Sequence, residues 1–274
     1  MKTNLNNFPK FYIVSTPIGN LKDITFRAIE ILKEVDIILC EDTTHTVNLL
    51  AYYNIKKKLI SYHKYTKDSS DKFILKLLNE GKKIALVCDA GTPMIADPGN
   101  RLVKFLIKNN IKIEAIPGVC SIINALVLSG ACLIDFVFAG WMPKKSSQKT
   151  KSLLKFFGAT NTVIFLESPH RIKKTIETIL QNLQNLNLDD TNSNVSNVFN
   201  KKSKTKYNKY VSIEANQKII ESNKFDIKMI NVCIAREMTK MYEELIRGNL
   251  IEVNEILQNR KSIKGEIVII FEKI

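Results

Sequence analysis

The chain has 274 residues, 45% of them hydrophobic and 25% charged, proportions that exclude a collagen-like repeat, a fully disordered chain and a disulfide scaffold. Its length allows two domains or one large α/β domain, each with enough chain to bury a core unaided. Lys and Arg number 41 against 27 Asp and Glu, a net charge of +14 that favours polyanionic partners and equally fits an AT-rich genome that writes Lys freely.

Residues 11–14 form an apolar run that stops in the turn-rich stretch Ser15-Thr16-Pro17-Ile18-Gly19-Asn20. Helical spacing follows at Ile24, Ala28, Ile31, Leu32 and Val35, and 36–40 reads as a buried strand. A helix is predicted over 43–53 after the acidic pair Glu41-Asp42, a strand over 59–62, and a helix over 73–79 that stops at Gly81. Strand 83–88 leads into Asp89-Ala90-Gly91-Thr92-Pro93, and Asp97-Pro98-Gly99 opens a helix over 100–108. Strand 111–116 ends at Pro117-Gly118, helix 121–128 follows, and 136–139 is read as the last strand of this half. Strands alternating with helices predict βαβ units around a largely parallel sheet, with chemistry in the loops at the carboxyl ends of its strands. Four loops fit that place: 15–20, 40–45, 89–93 and 117–121.

The polar, basic stretch 141–150 reads as a linker, giving domains of 1–142 and 143–274 with net charges of +5 and +9. The second half shows a helix over 151–157, a strand over 162–166, a helix opening at Ser168-Pro169-His170-Arg171, a strand over 232–235, a helix over 253–258 and a final strand over 267–271. It is therefore also α/β, with a mixed sheet. Residues 181–229 hold 10 Asn and 8 Lys and keep no sustained apolar period. About 186–226 is read as a solvated, partly disordered insertion, or alternatively as a basic arm for RNA.

The cysteines Cys40, Cys88, Cys120, Cys132 and Cys233 are odd in number, show no CxxC spacing and mostly sit inside apolar runs, which predicts buried free thiols in a reducing cytosol. With no signal-peptide core in 1–10, and with 119–134 too short and too polar to span a bilayer, a cytoplasmic protein with no membrane partner is expected. His45, His63 and His170 match no metal site, so no metal is expected.

Neither GxxxxGK[ST] nor GxGxxG is present, which argues against triphosphate binding and an ordinary dinucleotide fold. Asp89 stands at a strand end beside Gly91, where it can accept a hydrogen bond from a ligand's hydroxyl or amine, or merely cap its own turn. Ser121 reads most simply as an N-cap. Glu41, Asp42, Glu167 and Glu237 follow predicted strands and fit caps or ion pairs as well as catalysis. His170, Arg171, Arg236 and Lys240 stand at similar exits and suit phosphate contacts.

Six segments occur in one order: STPIGNLKDIT (15–25), EDTTHT (41–46), CDAGTPMIADPG (88–99), PGVCS (117–121), ESPHR (167–171) and REMTK (236–240). Together they resemble the RsmI family, the bacterial 16S ribosomal RNA cytidine 2′-O-methyltransferases of the tetrapyrrole-methylase superfamily. The resemblance covers about residues 10–180 and 230–272. It implies a two-domain tetrapyrrole-methylase-like α/β fold, with S-adenosylmethionine in the cleft between domains, and a homodimer acting on 16S rRNA or the small ribosomal subunit. It places Pro17, Asp89, Gly91, Thr92, Ser121 and Ile122 at the cofactor, completed by Glu167, Ala235 and Glu266. Around the acceptor it suggests Glu41, Asp42, His45, Arg236, Glu237 and Lys240, with the general base unassigned. Two departures stand out: Thr44 replaces the arginine of the family's EDTR, and the PGPS-like turn is PGVC, with Cys120 before Ser121. The implied reaction is in-line attack of a ribose 2′-oxygen on a sulfonium methyl, for which alignment and desolvation are the protein's main contribution. The alternatives are a methylase of a tetrapyrrole, of precorrin or uroporphyrinogen type, and a non-catalytic RNA-binding assembly protein.

Overall fold

The computed structural model describes residues 11–189 and 227–274. They divide into two compact units between Ser121 and Ile122. The first carries an all-parallel sheet of β1 (Phe11–Val14), β2 (Ile37–Cys40), β3 (Lys58–Ser61), β4 (Ile84–Leu86) and β5 (Ile113–Ile116), in the spatial order β3-β2-β4-β1-β5. The crossovers are α1 (Phe26–Glu34), α2 (Thr43–Tyr52), α3 (Asp68–Asn79) and α4 (Asn100–Lys108).

Successive strand residues point to opposite faces, and both faces are covered. Tyr12, Val14, Ile38, Cys40 and Ala85 pack with Ala28 and Leu32 of α1 and Leu50 of α2. Phe11, Ile13, Ile37, Leu39, Ile84 and Leu86 pack with Ile74 and Leu78 of α3 and Leu102 and Leu106 of α4. Double-sided burial is why these strands are apolar runs and not alternations. The helix starts are set locally: Thr25 Oγ1 accepts the Ala28 amide at 3.1 Å to cap α1, and Asp42 caps α2.

One buried polar cluster ties β3 to both helices behind it. Asp71 of α3 is 4% exposed and accepts the Tyr62 hydroxyl at 2.9 Å and Arg101 Nε at 2.9 Å. Burial, together with the Asp71 carboxylate, pushes the Tyr62 phenol up to about 12.

The second unit opens with α5 (Ser121–Ser129), whose first residue closes the first unit. It continues through β6 (Phe136–Trp141), α6 (Ser146–Phe157), β7 (Thr162–Glu167), α7 (Ile172–Asp189), β8 (Ile230–Arg236), β9 (Glu244–Asn249), α8 (Leu250–Gln258) and β10 (Ile267–Lys273). Its sheet runs β6-β7-β10-β8-β9, parallel between β6 and β7 and antiparallel elsewhere. Val163, Phe165, Val232, Ile234, Ile269 and Phe271 supply the core face, packed by α6, α7 and α8.

Several sequence expectations change here. Strand 136–139 belongs to the second sheet, where it pairs with β7, and not to the first half. The units part between Ser121 and Ile122, earlier than the polar stretch before residue 143 suggests, because α5 and β6 join the second unit: Arg247 donates to the Leu128 carbonyl and the Cys132 amide to Glu272 Oε1. Half of that supposed linker is helix. α6 begins at Ser146, and Lys149 and Thr150 are buried within it, so polar side chains on the inner face hid the helical period. α3 starts at Asp68, earlier than residue 73, with Asp68 and Asp71 favouring its positive N-terminal end. β9 escaped sequence detection because only Ile246 of its residues is fully buried. The proposed insertion at 186–226 overlaps α7 as far as Asp189, and the rest of it lies outside the described residues.

Asp71→Ala is expected to lower the unfolding free energy by about 2 kcal/mol, because Tyr62 and Arg101 lose their buried acceptor. Asp68→Ala removes only the exposed partner of Arg101 and should leave the urea midpoint almost unchanged. Urea titrations of both variants provide the comparison.

Candidate active site

All five strands of the first sheet run the same way, so their carboxyl-end loops gather on one edge. The loops after β1, β4 and β5 are stitched together there. Thr16 and Gly91 exchange backbone hydrogen bonds of 2.8 and 3.0 Å, and Thr16 Oγ1 donates to the Cys88 carbonyl at 3.1 Å. The Thr92 hydroxyl donates to the Val119 carbonyl at 2.9 Å and lies 3.1 Å from Ser15 Oγ. Gly91 sits at φ +82°, where a side chain would be strained. A β-carbon on Gly118 would come within 2.7 Å of Ser15 Cβ, so that loop approaches as closely as only glycine permits.

This floor carries four of the residues assigned to the cofactor. Pro17 is buried, and Thr92 is held by its hydroxyl. Asp89 stands partly exposed, with Oδ1 accepting the Asp42 amide at 3.3 Å and Oδ2 without a hydrogen-bond partner among the described residues. Ser121 follows as the first residue of α5, and Ile122 is buried behind it. The donor set fits S-adenosylmethionine: a free carboxylate oxygen for hydroxyl or amino groups, backbone groups opened by glycine, and apolar walls at Pro17 and Ile18. Burial, helped by the nearby Asp97 charge, pushes the Cys88 thiol up and keeps it protonated, so it is no nucleophile.

At the start of α2 the Asp42 carboxylate accepts the amides of Thr44 at 2.7 Å and His45 at 3.2 Å. Those bonds hold its carboxyl below the ordinary value and make it a weak base. The side chain of His45 projects from the exposed first turn, and Glu41 is partly exposed beside it.

In the second unit, cross-strand register sets Glu167 and Arg236 at one level, both opposite Ile267. The Glu167 carboxylate is buried and fully engaged: Oε1 takes Arg171 Nη2 at 2.5 Å and the Ser168 amide at 2.7 Å, and Oε2 takes the Thr175 hydroxyl at 2.6 Å. Thr175 in turn accepts from buried Lys149 at 2.5 Å. Burial pushes the Lys149 ammonium down, against the pull of Glu167.

Arg236, Glu237, Lys240 and Glu266 form one ionic turn. Glu237 Oε1 accepts Lys240 Nζ and the Glu266 amide, each at 3.0 Å, while Lys240 also reaches Glu266 Oε2 at 3.1 Å. Burial pushes the Glu237 carboxyl up, but the Glu266 amide, Lys240 and Arg236 outweigh it and hold it below its usual value. Arg236 donates to Glu244 at 3.1 Å and to the Lys264 carbonyl at 3.1 Å. Ala235 is fully buried in β8. The Gly265-Glu266 pair before the last strand is readable in the sequence, but the reason for the glycine is not: a β-carbon there would collide with the Glu237 side chain. Lys149 and Thr175 gave no such signal. Among the described residues no group of three metal-ligating side chains occurs, and no helix is long and apolar enough to cross a membrane.

Arg260 clamps the same turn through Glu244, whose carboxyl it holds down at about 2 with help from Arg236. Because that value lies below the unfolded 4.5, the stability Glu244 contributes is complete above pH 4.5 and fades as pH falls toward 2. Glu244→Gln should therefore melt lower than the wild type at pH 7, with the gap closing in thermal scans taken from pH 4.5 down to 2.

The family of tetrapyrrole (corrin/porphyrin) methylases matches residues 10–200. A ribosomal RNA small subunit methyltransferase I from Hydrogenobaculum sp. (strain Y04AAS1) is 40% identical over 96% of this chain and 96% of its own length. A protein of the same name from Halalkalibacterium halodurans is 38% identical over 95% of this chain and 75% of its own. Among solved structures, uroporphyrin-III C-methyltransferase from Thermus thermophilus, complexed with S-adenyl homocysteine, has a TM-score of 0.54 at 14% identity, covering 96% of this chain and 97% of its own; this likeness concerns the fold. With relatives at 38–40% identity over nearly the whole chain, the chain is a methyltransferase belonging to the tetrapyrrole methylase family, in its ribosomal RNA small subunit methyltransferase I branch.

Proposed function

We propose that the protein transfers the methyl group of S-adenosylmethionine to the ribose 2′-oxygen of a cytidine in the 16S rRNA of the small ribosomal subunit, acting in the cytoplasm as a homodimer. The observation that carries this reading is the floor of three stitched loops, with one free oxygen on Asp89, in a chain 40% identical to a ribosomal RNA small subunit methyltransferase I over nearly its whole length. The net charge of +14 favours a polyanionic acceptor over a small tetrapyrrole.

Bound S-adenosylmethionine supplies an electrophilic methyl on a sulfonium whose leaving group is a neutral thioether. Asp89 accepts a hydrogen bond from a hydroxyl or amine of the cofactor, while Pro17, Gly91, Thr92, Ser121 and Ile122 shape the surface beside it. Thr92 already donates its hydroxyl to Val119, so it offers its backbone. The Glu167 carboxylate and the Ala235 side chain are buried in the second unit's own packing, which leaves only their main chain available to a ligand, and Glu266 remains exposed.

The attacking 2′-oxygen must lose its proton as the O–C bond forms and the S–C bond breaks. Asp42 and Glu237 are held as stable carboxylates by their hydrogen bonds and ion pairs, and Arg236 and Lys240 are tied to carboxylates as cations. Glu41 and His45 keep side chains free of hydrogen bonds among the described residues, and His45 is assigned the proton because an imidazole nitrogen with no hydrogen bond can accept one.

Purified protein incubated with labelled S-adenosylmethionine and small subunits from a strain lacking the modification should yield one 2′-O-methylcytidine, located by nuclease digestion and mass spectrometry. Transfer to a reduced tetrapyrrole in place of the subunits would discard the RNA reading and keep the fold. Asp89→Ala should weaken cofactor binding by at least about tenfold in calorimetry, in line with the loss of a hydrogen bond to a charged group. His45→Ala should leave that affinity intact and slow transfer by about 100-fold or more. If Glu41→Gln gives the slow phenotype and His45→Ala does not, the base is Glu41.

A further inference from the structure

The turn that joins β8 to β9 holds two large side chains out into solvent: Met241 is 89% exposed and Tyr242 69%. Its backbone is unusual. Glu237 sits at φ +50° and Thr239 at φ +64°, a region that side chains other than glycine avoid and that here recurs within three residues. Both are pinned. The Glu237 backbone N–H donates to the Glu266 carbonyl at 3.0 Å, its carboxylate takes the Glu266 amide, and the Thr239 amide donates to Glu243 Oε2 at 2.5 Å. Two further backbone bonds, Lys240 N–H to the Glu237 carbonyl and Glu243 N–H to the Lys240 carbonyl, close the turn. Met241 and Tyr242 therefore sit on a pre-ordered support, and little ordering remains to be done when something covers them.

The acids around the turn are engaged: Lys240 bridges Glu237 and Glu266, Arg236 and Arg260 hold Glu244, and Glu243 is bound to a backbone amide. The neighbouring loop, 259–266, is hydrogen-bonded to the turn through the Lys264 carbonyl and Glu266. It exposes Lys261 and Lys264, neither in an ion pair among the described residues. A solvent-facing aromatic ring on a rigid turn, with exposed ammonium groups on the loop hydrogen-bonded to it, suits an unpaired nucleotide: the ring stacks on a base and the lysines meet phosphates.

We propose that the β8–β9 turn is a single-strand RNA platform, in which Tyr242 stacks on an unpaired base of the small-subunit rRNA and Lys261 and Lys264 contact the adjoining phosphates. The proposal deepens the ribosomal RNA reading and rests on it for the identity of the strand. It adds residues outside the motifs assigned above.

The test uses the full chain with two probes, small ribosomal subunits and a single-stranded RNA oligonucleotide, and measures binding and methyl transfer separately. Tyr242→Ala should weaken binding of both probes by about tenfold, while Tyr242→Phe, which keeps the stacking ring, stays within about twofold of wild type. Replacing Lys261 and Lys264 together with Gln should make the slope of log affinity against log salt shallower by about 1.4, two single-strand phosphate contacts. Calorimetry should find S-adenosylmethionine affinity unchanged in every variant, which separates this surface from the cofactor site and reports that the variants are folded. RNA affinity within twofold of wild type in Tyr242→Ala overturns the platform. So does a change in sedimentation without a change in RNA affinity, which would mean that a second copy of the chain covers the patch. If the wild type binds RNA with these dependences and methylates none, the platform stands and the proposed reaction fails. Absence of RNA binding by the wild type overturns both.

Discussion

Two hydrogen bonds between Thr16 and Gly91 hold the ends of β1 and β4 at one fixed spacing, and the first unit's chemistry depends on that spacing. The strands are central neighbours in a parallel sheet, and their chain continuations must leave in separate directions toward α1 and α4. The bridge keeps the two continuations tied two residues past the end of β1 and five past the end of β4. This is long enough to set Asp89 at the rim and to let Thr92 reach the loop after β5. Gly91 makes it possible because its backbone lies in the left-handed region, and Gly118 because Ser15 leaves no room for a β-carbon.

The second unit answers a different constraint. Its sheet is mixed, and its polar residues concentrate where strands end and must turn. There the chain neutralises its acids locally, as in Glu167 with Arg171, Glu237 with Lys240, and Glu244 with Arg260. Groups spent this way are positioned but chemically quiet. This narrows acid–base work to side chains left uncommitted, a distinction that residue type alone does not make.

Most of the first sheet was legible in the sequence because strands buried on both faces read as continuous apolar runs, and because Gly81, Pro117 and Gly118 punctuate them. The second unit was less so. The start of α6, residues 146–150, is hidden because Lys149 and Thr150 face inward, satisfied by Thr175 and Asn182 from α7, a pairing no local pattern reveals. β6 was assigned to the wrong sheet since a strand's partners are a tertiary fact, and β9 presents too little apolar surface to register. The motif loops could be located from sequence, whereas the commitments of their side chains could not. Asp42 and Glu167 fit caps or ion pairs as well as catalysis in the sequence, and only their hydrogen-bond partners decide between these.

The burial of Lys149 carries a further meaning for the motion of the second unit. Lys149 is 3% exposed, its ammonium is held by Thr175 and feels the charge of Arg171, whose Nη1 is buried without a hydrogen-bond partner among the described residues. Two cations thus share one buried carboxylate, and any lifting of α6 that admits water relieves both at once. In a chain rich in surface amines, this one is shielded from acylating reagents while the helix is seated. Its labelling rate, read peptide by peptide, is therefore a clock for local opening of α6, in a part of the protein where no strand has to separate.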